Sequence, residues 1–140
     1  IWMHRDPSKT ISSYSKMIYE VQKFYYGNNS VNKKDVAKYI KNKYLSMINQ
    51  GLKIRNKYNL NFIDVNYLDL KNNPAETLDR ISIILKEKNI NTKFINKKMN
   101  LKHLKSTVSY NLNEFGINRN DINSTFDEYI EKFNIQLETN

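Results

Sequence analysis

Residues 1–13 read Ile1-Trp2-Met3-His4-Arg5-Asp6-Pro7-Ser8-Lys9-Thr10-Ile11-Ser12-Ser13, and the rest of the chain is read from this stretch. Ile1 to His4 is an apolar run that predicts a strand. Asp6 followed by Pro7 predicts a helix start, because Asp can accept from unpaired first-turn amides and the fixed φ of Pro suits the first helical position. Apolar residues then recur at Ile11, Tyr14, Ile18, Val21 and Tyr25, the spacing of one helical face. Gly27-Asn28-Asn29-Ser30 ends that helix. The corner from strand to helix therefore falls on Arg5. In α/β sheets, ligands bind beyond the carboxyl ends of strands. A helix start there also offers amides and a partial positive charge to an anion. A phosphate at this corner would receive a planar charged fork from Arg5 and a hydroxyl from Ser13, eight residues on. One hydrogen bond to a charged group contributes roughly 1.5–3 kcal/mol. The plainer alternatives are an ion pair of Arg5 with Asp6 or another acid, and an ordinary polar helix face for Ser13, with Ser12 as a neighbouring decoy.

Working outward, Val36, Ile40, Tyr44, Met47 or Ile48, and Leu52 form the stripe of a second helix over Lys34 to Tyr58. Phe62 to Tyr67 alternates apolar and polar residues and predicts a strand. Asn73, Pro74 and Glu76 predict a helix start with a capping box, and Leu78, Ile81 and Leu85 would face inward from that helix. Residues 86–109 lack a period, carry seven Lys against one Glu and read as an irregular basic connection. Gly116 predicts a backbone turn before a last helix over Asn120 to Phe133, with Ile122, Phe126, Tyr129 and Phe133 on one side. Two strands separated by helices make an α/β unit of the βαβ kind. A parallel pair normally has further strands beside it. With a strand at residue 1, the expectation is a truncated piece, mostly helical with about two strands.

The 140 residues suit one domain, and 39% hydrophobic content with ten Tyr and six Phe argues against disorder. There is no Cys, which excludes disulfides and thiolate chemistry and makes a cytoplasmic location the default expectation. No signal peptide or membrane span is legible. The net charge of +9 permits an anionic partner without identifying one. Asn, Lys and Ile are abundant and Arg has only four copies, a bias that AT-rich codons produce unaided.

Arg-Asp-Pro with a Ser eight positions after the Arg resembles the 3′-phosphate-binding motif of PAPS-dependent sulfotransferases. The matching residues here are Arg5 and Ser13, in RDPSKTISS. Asp64-Val65-Asn66-Tyr67-Leu68-Asp69-Leu70, followed by Asn73-Pro74 and an apolar helix, is similar to the family's strand with its "Tyr, two residues, Leu" ending. Tyr110 to Ile117, followed by a helix carrying Tyr129 and Phe133, resembles the tail of a mainly bacterial branch. The resemblance implies a P-loop-kinase-like sulfotransferase fold of which residues 1–140 form a single C-terminal part. The missing N-terminal half would hold the 5′-phosphosulfate loop, the Lys that assists the leaving group, and the usual general base. The implied reaction transfers a sulfuryl group from PAPS to a hydroxyl or amine acceptor and releases PAP, with no metal. The sequence departs from the pattern in two places. Val108 stands where the branch often has a basic residue or His, and the Arg-Lys-Gly tail of animal cytosolic enzymes is absent.

His4 is a weak candidate for a general base, set against a His packed at the sheet edge that orients Arg5. Lys97, Lys98, Lys102 and Lys105, with Lys98, Lys102 and Lys105 the candidate donor contacts, would form a basic cover over the phosphates or else plain solvated surface. His103 would be exposed in that connection, and Tyr67, Tyr110, Phe115 and Tyr129 would be core. The two His are far apart with no carboxylate cluster at ligand spacing, so no metal site is expected. The rival functional class is a small basic helical module that binds nucleic acid, favoured by the charge and the Lys-rich second helix. Against it, no nucleic-acid motif is present. A non-catalytic interaction domain descended from the enzyme fold is the third reading. Neither the acceptor nor the oligomeric state is legible.

Overall fold

The computed structural model describes residues 1–27, 29–58, 61–86 and 112–138. They fall into two compact units, Ile1–Arg5 with Asn61–Val108, and Asp6–Leu60 with Ser109–Asn140.

In the first unit, β1 (Trp2–His4) and β2 (Asp64–Asn66) pair in parallel, with Trp2 opposite Asp64, Met3 opposite Val65 and His4 opposite Asn66. The amide of Trp2 also donates to the Ile63 carbonyl at 2.9 Å. Two helices follow β2: α3 (Tyr67–Asn72) and α4 (Pro74–Leu85). Ile63, Val65 and Ile81 form the buried core, with Leu70 and Leu78 packed against it. The strand expected over Phe62 to Tyr67 is thus shorter, and Tyr67 instead opens a helix. Asp69 in the first turn of α3 favours this, since a carboxylate there opposes the helix's positive end. The capping box expected at Asn73 does not form, because the Asn73 side chain makes no cap hydrogen bond. Its backbone serves both helices instead. The Asn73 amide donates to the Asp69 carbonyl, and the Thr77 amide donates to the Asn73 carbonyl. Leu85, expected inward, is 48% exposed.

The second unit begins at Asp6. Helix α1 (Pro7–Tyr26) ends at Gly27, whose φ of 86° is one that glycine adopts freely. Helix α2 (Lys33–Tyr58) packs on α1, and Ile48, not Met47, turns inward from its stripe. After a 3₁₀ turn (Leu112–Phe115) come α5 (Arg119–Thr125) and α6 (Asp127–Lys132). Ile11 of α1, Val36, Ile40 and Ile48 of α2, and Ile122, Phe126, Tyr129 and Ile135 make one core. Phe115 and Tyr129 are buried, as expected. Val21 and Tyr25 of the α1 stripe are exposed, so the buried face of α1 stops at Ile18 and Tyr19.

The expected last helix is two helices broken at Phe126, where φ is −115° and ψ is 15°. Asp127 contributes to the break, because its carboxylate accepts from the Glu128 amide at 2.7 Å and competes with helical pairing. The break keeps Phe126 in the core, where its ring lies 5.5 Å from that of Tyr44. Gly116 has a φ of 67° and makes the expected turn.

Asp6 organises this unit. Its carboxylate is buried and accepts from the Ser8 amide at 2.8 Å through one oxygen. The other oxygen accepts from Arg119 Nη2 at 3.0 Å and from the Glu138 amide at 2.9 Å. Arg119 also donates to the Glu138 carbonyl at 2.6 Å. One carboxylate therefore caps α1, anchors the start of α5 and ties down the C-terminal residues. Asp6→Ala removes a cap and a charged pair whose Arg side is part-exposed and can rehydrate. It is expected to cost about 2–3 kcal/mol, and Asp6→Asn about half that, as read from urea denaturation.

The start of α2 is joined to the 3₁₀ turn by an ion pair of Lys33 with Glu114, and Lys33 Nζ also lies 5.1 Å from the Tyr19 ring centroid. The hydrogen bond from Lys33 holds the Glu114 carboxyl below its ordinary range, and the same bond raises the Lys33 ammonium. A depressed carboxyl stabilises the fold above its unfolded pKa, and that contribution is lost as pH falls through the folded value. Acidification from about pH 7 to about pH 3 should therefore reduce stability less in Glu114→Gln than in the parent chain, in urea melts at both pH values.

Candidate functional site

The parallel register brings Arg5 and Tyr67 together. Arg5 directly follows β1 and Tyr67 directly follows β2, so the next register position after His4 and Asn66 places them side by side beyond the carboxyl ends of both strands. The Arg5 guanidinium carbon lies 4.1 Å from the Tyr67 ring centroid, well inside cation–π range. Both residues are half-buried. Tyr67, expected in the core, lies instead under the candidate phosphate ligand.

The residue before Arg5 is held from below. His4 is 1% exposed, and its Nε2 lies 2.9 Å from Asp64 Oδ1. An ionised carboxylate only accepts, so Nε2 carries the proton in this bond. The Trp2 ring lies 5.2 Å from the His4 ring and 5.8 Å from that of Phe62. The end of β1 is thus fixed by side chains as well as by the ladder.

Ser13 lies in the second unit, on α1, and is half-buried. Ser12 and Ser15 are 2% and 1% exposed, so of the two adjacent hydroxyls Ser13 is the more accessible. The first-turn amides of α1 are already engaged. Ser8 donates to the Asp6 carboxylate, and Lys9 and Thr10 donate to the Asp6 carbonyl, each at 3.1 Å. The expectation of open amides for an anion at this helix start is corrected accordingly, because Asp6 fills that role. Asp6 itself pairs with Arg119, a partner 113 positions away that local reading could not supply.

Lys97, Lys98, Lys102, Lys105, His103, Val108 and Tyr110 lie outside the described residues. Among the described residues, no group of three or more His, Asp or Glu could hold a metal ion. No described helix is long and apolar enough to cross a membrane. The functional side chains that sequence reasoning missed are Asp64 and Tyr67 as partners of His4 and Arg5. Their only signal was position, each standing in or directly after the second strand, and it becomes legible once the parallel register is known.

Residues 1–87 match the family model described as the sulfotransferase family. None of the curated proteins matches the chain. Among solved structures, the chain is similar to sulfotransferase STF9 from Mycobacterium avium, with a TM-score of 0.78 and 20% identity. That match covers 98% of this chain and 36% of the solved one, so the chain spans about a third of the length of that sulfotransferase. At this identity the likeness speaks to the fold, and it fits the mostly helical architecture around a parallel strand pair.

The part-buried His4–Asp64 bond generates a stability prediction. Asp64→Ala removes the acceptor from a buried ring nitrogen and should lower stability by about 1–3 kcal/mol. Asp64→Asn, which keeps an acceptor oxygen, should recover part of that loss in the same thermal melts.

Proposed function

The chain belongs to the sulfotransferase family, and from that premise we propose that it supplies the part of the enzyme that binds the 3′-phosphate of PAPS. Arg5 and Ser13 are the proposed ligands of that phosphate. The observation that carries this reading is the position of Arg5, beyond the carboxyl end of a parallel strand, with its guanidinium stacked on a neighbouring ring. The accessibility of Ser13 relative to Ser12 supports the choice of hydroxyl. Arg suits the task because its planar fork stays charged and meets two phosphate oxygens at once.

In the proposed reaction, the sulfur–oxygen bond to the donor's phosphate breaks and a sulfur–oxygen or sulfur–nitrogen bond to the acceptor forms. The acceptor loses a proton and PAP leaves. Such transfers depend mainly on positioning and on stabilising charge. Gripping the ribose phosphate fixes the donor's orientation, which is the contribution assigned to this chain. The loop that holds the 5′-phosphosulfate and the Lys that assists the leaving group are assigned to a further part of the enzyme. Lys98, Lys102 and Lys105 are proposed as secondary contacts to the donor. His4 is the weakest candidate for proton removal, since its ring is buried and bonded to Asp64.

Titration of adenosine 3′,5′-bisphosphate into the chain, followed by NMR so that millimolar affinities are readable, tests the reading. Arg5→Ala should weaken binding about ten-fold or more, and Ser13→Ala less, about three-fold, from the loss of one charged and one neutral donor. Unchanged affinity in Arg5→Ala would remove the assignment.

A further inference from the structure

Helix α2 has a face that the core does not use. Tyr39, Met47, Ile54 and Tyr58 are 58%, 57%, 49% and 56% exposed. Positions 39, 43, 47, 50, 54 and 58 follow one another at steps of three or four, so they share one side of the helix. The ridge they form runs about 28 Å along it. Two lysines lie against the ridge. Lys43 Nζ is 5.7 Å from the Tyr39 ring centroid, and Lys57 Nζ is 5.0 Å from that of Tyr58. Lys38 and Lys53 are exposed on the same helix. No Asp or Glu occurs from Val36 to Tyr58, although the chain has 14 acids. A codon bias adds lysines, but it does not clear the acids from one helix. The other two cations of this stretch turn to the body of the unit, Lys41 to Asp121 and Arg55 to the Phe133 ring.

We propose that this face of α2 docks on an anionic lipid surface. A cationic, acid-free face with an apolar ridge fits a partner that offers both negative charge and apolar depth. A nucleic acid duplex answers the lysines but gives Met47 and Ile54 no apolar surface to enter. A bilayer with acidic lipids supplies both, with charged headgroups at the level of the ammonium groups and acyl chains below them. Lysine stems lie along apolar surface while their charged ends stay among polar groups. Tyr suits the same boundary, because its ring is apolar and its hydroxyl is polar. No described helix is long and apolar enough to cross a membrane, so α2 lies along the surface in this arrangement. The proposal is independent of the donor site, since none of these side chains is assigned to it.

Sedimentation of the full chain with phosphatidylcholine vesicles, prepared with and without phosphatidylglycerol, tests this. The chain should pellet with the mixed vesicles and stay in solution with phosphatidylcholine alone, and added salt should release it. Lys43→Gln with Lys53→Gln should weaken partitioning by an order of magnitude or more, at about five-fold per lysine. Lys71→Gln with Arg80→Gln removes the same charge from exposed positions of the first unit and should change it less than about two-fold. Met47→Ser with Ile54→Ser keeps the charge and should weaken partitioning about ten-fold, through lost apolar contact. A spin-labelled lipid should broaden the Met47 methyl resonance. Every substituted position is exposed, so each variant should keep the parent melt. Failure to pellet with the mixed vesicles overturns the proposal. So does an equal loss in the two charge-removing pairs, which would make the attraction a property of the net charge. An unchanged partition in Met47→Ser with Ile54→Ser, or an unbroadened Met47 methyl in the pelleting chain, also overturns it. If the chain binds duplex DNA but not the mixed vesicles at the same ionic strength, the face belongs to a nucleic acid and the lipid assignment is lost.

Discussion

The carboxylate of Asp6 is the constraint on which the second unit depends. It is a buried charge, and a buried charge is tolerated only when its lone pairs are filled. Here three donors fill them, from Ser8, Arg119 and the Glu138 amide. Their sources are the first turn of α1, the first residue of α5 and the end of the described chain. One side chain thus starts a helix and secures elements more than a hundred residues away. Pro7 reinforces the start by supplying a helical φ without an unused amide. The amides of Ser8, Lys9 and Thr10 all donate to Asp6, so none of the three is open to a further acceptor.

The first unit is governed by a different constraint, the parallel register of two three-residue strands. So short a ladder needs support. The support comes from the Ile63–Val65–Ile81 core on one side and from Trp2, His4 and Asp64 on the other. The same register sets Arg5 beside Tyr67. His4 directly precedes Arg5, and its bond to Asp64 fixes the strand end from which Arg5 projects.

Much of this was legible from residue types alone. The Asp-Pro helix start, the Gly27 stop, the long basic second helix and the turn at Gly116 each rest on local backbone chemistry, and each is present. The family was legible too, through the Arg-Asp-Pro stretch and the segment around Tyr67. Local reading failed where two local signals competed. Asn73 looked like a side-chain cap but serves as the joint of two abutting helices. The stripe from Ile122 to Phe133 looked like one helix, yet Asp127 offers its own carboxylate to the next amide and the helix breaks there. The period of the stripe survives the break because Phe126 and Tyr129 still share a core.

By itself, the sequence determined where elements start and stop, which residue sits at the strand-to-helix corner, and which family the corner resembles. Those properties depend on neighbours within a few positions, through fixed dihedrals, caps and hydrophobic period. Only the tertiary structure decided that Asp6 answers to Arg119, that His4 answers to Asp64, and that Tyr67 lies under Arg5 and not in the core. Each of these pairs spans some sixty positions or more, and which strand lies beside which is set by burial of a shared apolar face, a property of the folded chain that no short window of residues contains.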